Sequence, residues 1–547
     1  MLYRQLANFL KPDSLAGAAF MPLVDDHSLP EELYSADAVR AIDHYVIDQQ
    51  GVDGFELMQA AAASAFRRLV RCWPEPSSIL VLCGAGNNGG DGYLIAANAR
   101  RHGIDVLCVA VAPTEKLTGD ARKAWQKAVA DDVEIREVHA EAGIPPDIPF
   151  DRTGLIVDAM LGTGVTGAPR QPFADFIERC NRSPAAVLAV DVPSGLDSTR
   201  GTVSGASIRA DVTVTFIALK AGLFTGAGPE CCGRLAFESL DTDEWADEWV
   251  MESGQAPLAR RVDWSVMASS LPRRPANAHK GRFGHVLVVA GERGFGGAGI
   301  MAAESAARCG AGLVSLATRP EYVPAALARC PSLMVHAVTH GSELPALIEG
   351  ATVIVCGPGM GQGAWGQQML QQVMASGKPR VLDADALNLL ATRAAQPDEH
   401  QVLTPHPGEA ARLLGCSVQE VEMDRLSAAT RLHSQYGGVV LLKGAGTVIA
   451  GGQGIPAIVS GSNPGMATGG MGDVLAGVVG SLWGQINNAR QATIMGACLH
   501  LEAARVASGQ KGFMGLLPAD VIDTLPGVLA QAEAAGLILA GIRRAEV

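Results

Sequence analysis

Aromatic residues make up only 5% of this 547-residue chain, too few for the stacking platforms on which proteins lay single-stranded nucleic acid. Charge is thin as well: 18% of residues are charged, no long Lys/Arg run occurs, and the formal net charge is −13. Neither a nucleic-acid partner nor an anionic membrane is therefore expected. No apolar run reaches the ~18 residues that a membrane helix needs. The short apolar stretch from Leu15 to Val24, broken upstream by Lys11 and Asp13, is a poor match to a secretory leader. The eleven cysteines form no CxxC pair and no zinc-type spacing, and only Cys231 and Cys232 adjoin, which is poor geometry for an ordinary disulfide. Free thiols in a reducing cytoplasm are the expectation.

What the chain has in quantity is apolar material (48%) and glycine (64 residues without a collagen-like period). That balance argues against disorder and for large cores, and at roughly 100–200 residues per domain it suggests two to four domains. Short β-rich runs alternate with Ala-rich helical stretches, the pattern of parallel α/β folds. Strands are expected near Ile79–Cys83, Val106–Val111, Leu155–Asp158, Val187–Asp191 and Val212–Ile217, mostly as continuous apolar runs that helices cover on both faces. Ser35 is placed to cap a helix over Ser35–Gln49, and a second helix is expected over Phe55–Val70. The pattern decays between Asp241 and Pro275, which puts a junction near residue 258. It resumes with strands at His285–Ala290, Thr352–Cys356, Arg380–Asp383, Gln401–Thr404 and Val439–Lys443, a helix at Ala298–Cys309 and another from Gly472. The halves, 1–257 and 258–547, read as two different α/β domains.

In the first half, GAGNNGGDG runs from Gly84 to Gly92 between a strand and an expected helix Tyr93–Arg101. It satisfies GxGxxG formally, but the next strand ends in Val-Ala-Pro, without the acidic residue of an ordinary nicotinamide site. Asn87, Asn88 and Asp91 make the segment denser in polar groups than hydride transfer requires. Two more Gly/Asp-rich segments end strands at the same sheet edge: Asp158 with Leu161–Gly167, and Asp191 through Ser194 to Asp197. In an open parallel sheet, ligands bind outside those strand ends, where Asp, Asn and Ser oxygens could also hold a hard cation. The bland alternative for Gly84–Gly92 is a tight strand–helix turn, and Asp158 or Asp191 taken alone reads equally well as a helix cap; the three segments together favour a ligand site.

These motifs, GNNGGDG, DAxLGTGxxG and DVPSGLD, resemble the NAD(P)H-hydrate epimerase family over roughly residues 30–245. The resemblance implies a Rossmann-like three-layer α/β/α domain with potassium held by Asn88, Asp158 and Ser194. It implies substrate contacts from Asn87, Asn88, Gly89, Gly90 and Asp91, from Gly162, Thr163, Gly164, Val165, Thr166, Gly167 and Ala168, and from Asp191, which is also the catalytic candidate.

The second half is dominated by NPGMATGGMGDVLAG, Asn463 to Gly477. A Gly-rich segment entering a helix leaves several backbone N–H groups aimed at one point, an anion hole for a phosphoryl group. Asp473 falls in the first turn, where it can take a proton from a hydroxyl or simply cap the helix. Lys443–Thr447 (KGAGT) follows a strand but is not a Walker loop. Pro405–Glu409, Asp383–Asp385 and Gly357–Gly361 end other strands, and His406 taken alone would more often be structural.

GMGD with KGAGT resembles the ribokinase-like fold. Together with NAHKGRFGH from Asn277, GPGMG, VLDADALN and TPHPGE, it resembles the ADP-dependent NAD(P)H-hydrate dehydratases over roughly residues 265–540. The resemblance implies hydrated-nucleotide contacts from Ala298, Gly361, His406 and Asp473. Adenine-nucleotide contacts would come from Lys443, Gly444, Ala445, Gly446, Thr447 and Gly472, with Asp473 as base and magnesium on the phosphates. The implied whole is a cytoplasmic homo-oligomer that acts on NADHX, NADPHX and ADP. It epimerises the hydrates and restores NAD(P)H from the (S) form with release of AMP and phosphate. The rival reading is a ribokinase-like kinase of a vitamin or similar alcohol fused to a noncatalytic nucleotide-binding module; it leaves GNNGGDG without a task, and a stable phosphorylated product would mark it.

Overall fold

The computed structural model describes residues 29–138, 143–164 and 167–545. The Leu15–Val24 stretch and Val165 and Thr166 lie outside the described residues. The chain falls into two compact units, one running to Leu258 and one starting at Ala259.

The first unit is built on a seven-stranded, wholly parallel sheet. Its strand order is Glu134–Glu137, Val106–Ala110, Ile79–Cys83, Leu155–Ala159, Ala186–Val190, Val212–Phe216 and Arg234–Glu238. Side chains alternate across a strand, so one run of five apolar residues serves two cores. Ile79, Val81 and Cys83 pack with Met58, Leu69 and Ile95 on one face, while Leu80 and Leu82 pack with Ile156 and Phe176 on the other. Each such side chain, fully buried, contributes about 1.5–3 kcal/mol. The first helix, Ala36–Asp48, begins where expected, with the Ser35 hydroxyl accepting from the Ala38 N–H at 3.0 Å. The chain turns to opposite sides of the sheet after Ile79–Cys83, and its partner at that crossing is Leu155–Ala159. That crossing is the crevice where α/β sheets receive ligands.

One expectation needs correction here. Asn87 to Gly92 is not a loop before a helix; the helix runs Asn87–Arg101, with extended Gly86 ahead of it. The glycines serve close approach. A Cβ on Gly89 would stand 2.1 Å from the Gly84 carbonyl oxygen, and one on Gly84 would stand 1.9 Å from that of Met160.

In the second unit ten strands follow the order Met334–Ala337, Leu313–Thr318, His285–Val289, Val353–Cys356, Arg380–Leu382, Gln401–Leu403, Val439–Leu442, Val448–Gly451, Ala457–Val459 and Ala259–Val262. All neighbours are parallel except the pairs that Val448–Gly451 makes on either side. The crossing point lies between His285–Val289 and Val353–Cys356. The region Asp241–Pro275, where the sequence pattern fades, nonetheless holds two helices, Asp243–Ser253 and Trp264–Ala268, and the strand Ala259–Val262. The GMGD helix begins at Met471, one residue before the expected start, and crosses helix Gly296–Arg308 closely: a Cβ on Gly477 would lie 2.1 Å from the Ala302 carbonyl oxygen.

Candidate active sites

At the crossing point of the first sheet lies a cavity of about 680 Å³, lined among others by Asp43, Asn87, Asn88, Asp91, Asp191 and Lys220. The three Gly/Asp segments meet there. Asp158, fully buried at a strand end, accepts from the Ser194 hydroxyl at 2.6 Å, the Ser194 N–H at 2.8 Å and the Met160 N–H at 3.2 Å. It is not a helix cap. Burial pushes its carboxyl up to about 6, with the Ser194 bonds working the other way. The Ser194 hydroxyl oxygen also accepts from the Leu161 N–H (2.9 Å), and Asn88 donates its amide to the Leu161 carbonyl (3.1 Å). Asn88, Asp158 and Ser194 thus belong to one connected shell. Its one loose end is the Asn88 carboxamide oxygen, which is buried without a hydrogen-bond partner.

Asp191 sits on left-handed backbone (φ 63°), so its side chain turns out of the strand direction. Its carboxylate meets the Lys220 ammonium at 2.5 Å and the Thr215 hydroxyl at 3.1 Å. Lys220 is almost wholly buried, and Thr215 Oγ1 (2.9 Å) and the Phe216 carbonyl (3.0 Å) take its other protons. Sequence reasoning missed Lys220. It stands 29 residues from its partner in the apolar run FIALKAGLF, where a lysine reads as a surface residue. Gly162, Thr163 and Gly164 line the same cavity.

The second cluster occupies the strand ends of the second sheet. Lys443 Nζ lies 2.7 Å from Asp383 and 3.7 Å from Glu409. Burial works against its charge, but Asp383 and Glu409 outweigh this and hold the ammonium above the usual lysine value. A Cβ on Gly472 would be 3.2 Å from that ammonium, which places the GMGD turn directly over it. The N–H groups of Met471, Gly472 and Asp473 precede the first intrahelical bond, from the Val474 N–H to the Gly470 carbonyl. Burial, then the Asp383 charge, pushes the Asp473 carboxyl up to about 7, with Lys443 opposing. Asp473 does not cap the helix; that position is Gly470.

His406 does cap one. Its Nδ1 accepts from the Gly408 N–H (3.0 Å), Glu409 answers to the His406 N–H (2.8 Å), and its Nε2 faces Glu409 at 3.4 Å. Burial, partly offset by Glu409, lowers its pKa. Gly361, at φ 71°, donates its N–H to Asp385 at 2.8 Å. Ala298 packs on the same turn, 3.0 Å from where a Cβ on Gly359 would be. The Lys443–Thr447 turn is closed by the Thr447 hydroxyl on the Gly444 carbonyl (3.1 Å), with Gly444 and Gly446 at φ 146° and 63°.

Residues 286–527 match the sequence family described as NAD(P)H-hydrate dehydratase, and residues 54–222 match the one described as YjeF-related protein N-terminus. The bifunctional NAD(P)H-hydrate repair enzyme Nnr of Escherichia coli strain K12 is 43% identical over 508 residues, covering 92% of this chain and 95% of that one. Its namesake in Coxiella burnetii is 41% identical over 493 residues, 90% and 98% of the two chains. Among solved structures, an ADP/ATP-dependent NAD(P)H-hydrate dehydratase from Bacillus subtilis, co-crystallised with ATP and Mg2+, is 29% identical. It covers 49% of this chain and 96% of its own, with a TM-score of 0.45.

Proposed function

Because this chain belongs to the bifunctional NAD(P)H-hydrate repair enzymes, we propose that each of its two clusters carries one of the paired activities. The protein is an NAD(P)H-hydrate epimerase and an ADP-dependent NAD(P)H-hydrate dehydratase on one chain, with a Rossmann-like unit followed by a ribokinase-like one. The observation that carries the reading is the extent of the E. coli likeness, 508 residues at 43% identity, which takes in both clusters.

Hydration adds a proton and a hydroxide across the enamine double bond of the dihydronicotinamide ring, which leaves a hydroxyl on the carbon beside the ring nitrogen. Hydroxide is a poor leaving group, so the second unit turns it into phosphate. Asp473 takes the hydroxyl proton, the oxygen attacks the β-phosphorus of ADP, and the bond to AMP breaks. The N–H groups of Met471–Asp473 hold the charge that spreads over the phosphoryl oxygens. Phosphate then leaves with its bonding pair, the ring nitrogen supplies electrons, and loss of the neighbouring carbon's proton restores NAD(P)H. Lys443, Gly444, Ala445, Gly446, Thr447 and Gly472 would hold the nucleotide, and Ala298, Gly361 and His406 the hydrate. Magnesium, when bound with the nucleotide, would neutralise charge on its phosphates; among the described residues no three His, Cys, Asp or Glu side chains are grouped to hold an ion.

In the first unit Asn87–Asp91, Gly162–Gly164, Gly167, Ala168 and Asp191 would hold the hydrate. Potassium fits the Asn88–Asp158–Ser194 shell: the donors are all oxygens, and the orphaned Asn88 oxygen asks for a cation. Bound there, the ion supplies positive charge for a ligand phosphate. No helix among the described residues is long and apolar enough to cross a membrane. With eleven free cysteines, the cytoplasm suits the protein.

The test is recovery of absorbance at the reduced-nicotinamide band from a mixed-epimer hydrate with ADP. Full recovery supports both activities, whereas a halt after one epimer removes the epimerase assignment. Asp473→Asn should stop recovery and leave epimer interconversion intact. Wild-type dehydration should fall with pH below about 7 as Asp473 takes up a proton and loses its role as base. Dehydration that survives the substitution excludes Asp473.

A further inference from the structure

Asp91 is the most deeply buried unpartnered carboxyl of the first cavity among the described residues. It is 91% buried (9% exposed), lines the cavity, and its carboxylate makes no hydrogen bond or ion pair with any described residue. Asp191, on the same cavity, has the opposite lot. Its oxygen holds the Lys220 ammonium, whose three protons are all spent on Asp191, Thr215 and the Phe216 carbonyl. The other charged groups lining the space do not offset Asp91. Arg40 is held by Asp37 and the Thr163 carbonyl, Asp120 by Lys123, His44 faces Asp48, and Lys116 is exposed. Asp43 adds a second carboxyl without a partner, but it is only half-buried. The buried ammonium lies against Asp191 and leaves Asp91 without a cation of its own, and burial without a partner favours the neutral form of a carboxyl.

Epimerisation needs that asymmetry. The inverted carbon bears a hydroxyl and the ring nitrogen, so it is a hemiaminal and can invert by opening. The hydroxyl loses its proton, a C=O forms, the C–N bond breaks, and the electron pair lands on nitrogen, which must receive a proton. Rotation about the adjoining C–C bond presents the other face of the aldehyde, and the reverse steps close the ring. Nothing is oxidised, and one group accepts a proton while another donates one. When the environments of two carboxyls hold their protonation states apart, the acid and base are assigned.

Resting on the epimerase reading of this unit, we propose that Asp91 is the general acid that protonates the ring nitrogen while Asp191, hydrogen-bonded to the Lys220 ammonium, takes the hydroxyl proton. Burial first, and then the Asp191 and Asp43 charges, pushes the Asp91 carboxyl well above the usual carboxylate range, consistent with its keeping that proton at neutral pH.

The experiment follows one purified epimer of hydrated NADPH turning into the other on the full chain without ADP, across neutral to alkaline pH. Wild-type turnover should fall on the alkaline side as Asp91 ionises. Asp91→Asn, nearly isosteric and uncharged, should lower kcat about 100–10,000-fold with little change in KM, and the alkaline limb should vanish from what remains. Asp91→Glu, which keeps a proton to give, should restore part of the rate. ADP-dependent dehydration of the (S) epimer by the same variants reports the second unit, and an unshifted far-ultraviolet circular dichroism spectrum together with the unchanged KM reports the folding of the first. Turnover of Asp91→Asn near that of wild type, a change confined to KM, or an alkaline limb that persists in the variant overturns the inference. A wild-type protein that does not interconvert the epimers overturns the epimerase reading itself.

Discussion

Replacing Lys443 by Met removes the one cation between two nearly inaccessible carboxylates, Asp383 (1% exposed) and Glu409 (5%), at 2.7 and 3.7 Å from the ammonium. Breaking a buried pair from one side costs about 3–5 kcal/mol, because the remaining charge has lost its partner and its water. The Lys443 side chain keeps 20% of its surface open, and the Thr404 hydroxyl still donates to Asp383 at 2.8 Å, so the lower end, about 3 kcal/mol, is expected. Over a unit of about 290 residues, with an unfolding entropy of ~2.1 cal/mol/K per residue, that is a fall in Tm of about 5 °C. The sign of its pH dependence is fixed. Asp473, already pushed up to about 7 by burial and Asp383, loses the opposing Lys443 charge in the variant and binds its proton more tightly folded than unfolded, so stability is lost as pH rises and recovered as it falls. Scanning calorimetry of the full chain in mildly alkaline and mildly acidic buffer reads this directly, and Asp383→Asn added to Lys443→Met should return most of the loss. A variant that melts with the wild type in alkaline buffer, or a second substitution that deepens the loss, refutes the account of this cluster as a charge-balanced group.

Gly477→Ala should cost about 1–3 kcal/mol by overpacking, since the new methyl would stand 2.1 Å from the Ala302 carbonyl and 2.2 Å from the Ser305 hydroxyl; the urea midpoint checks it, and an unshifted midpoint contradicts that close crossing. Asn88→Ala should weaken the response of epimerisation to potassium by about tenfold or more, read as rate against KCl with choline chloride holding ionic strength constant. An unchanged titration takes Asn88 out of the ion's shell.

The central strands were legible because they are continuous apolar runs, and Ile79–Cys83 stands where the sequence puts it. Less legible were residues whose role depends on what lies opposite. Gly89, Gly90 and Gly92 look like a flexible loop, yet they are helical and small because the neighbouring segments leave no space for a Cβ. Lys220 needed the fold to bring it under Asp191. His406 shows the structural role its sequence allows, since it caps a helix through Nδ1 while Nε2 faces Glu409. The short strands Val448–Gly451 and Ala457–Val459 went unread because three or four residues among glycines carry too little periodicity.

The Gly477 crossing also has a mechanical side. Helices Gly296–Arg308 and Met471–Ile486 meet backbone to backbone, with Ser305 Oγ 2.9 Å from the Ala302 carbonyl and 3.0 Å from that of Val474. One helix carries Ala298 near its start, and the other carries Gly472 and Asp473. At Gly477 the backbones touch and the Ser305 hydroxyl links them, so the crossing has little compliant material through which to slide. The spacing between Ala298, proposed to face the hydrate, and Asp473, the proposed base, is therefore set when the unit folds. The Lys443–Thr447 turn is built differently, on two glycines in left-handed backbone.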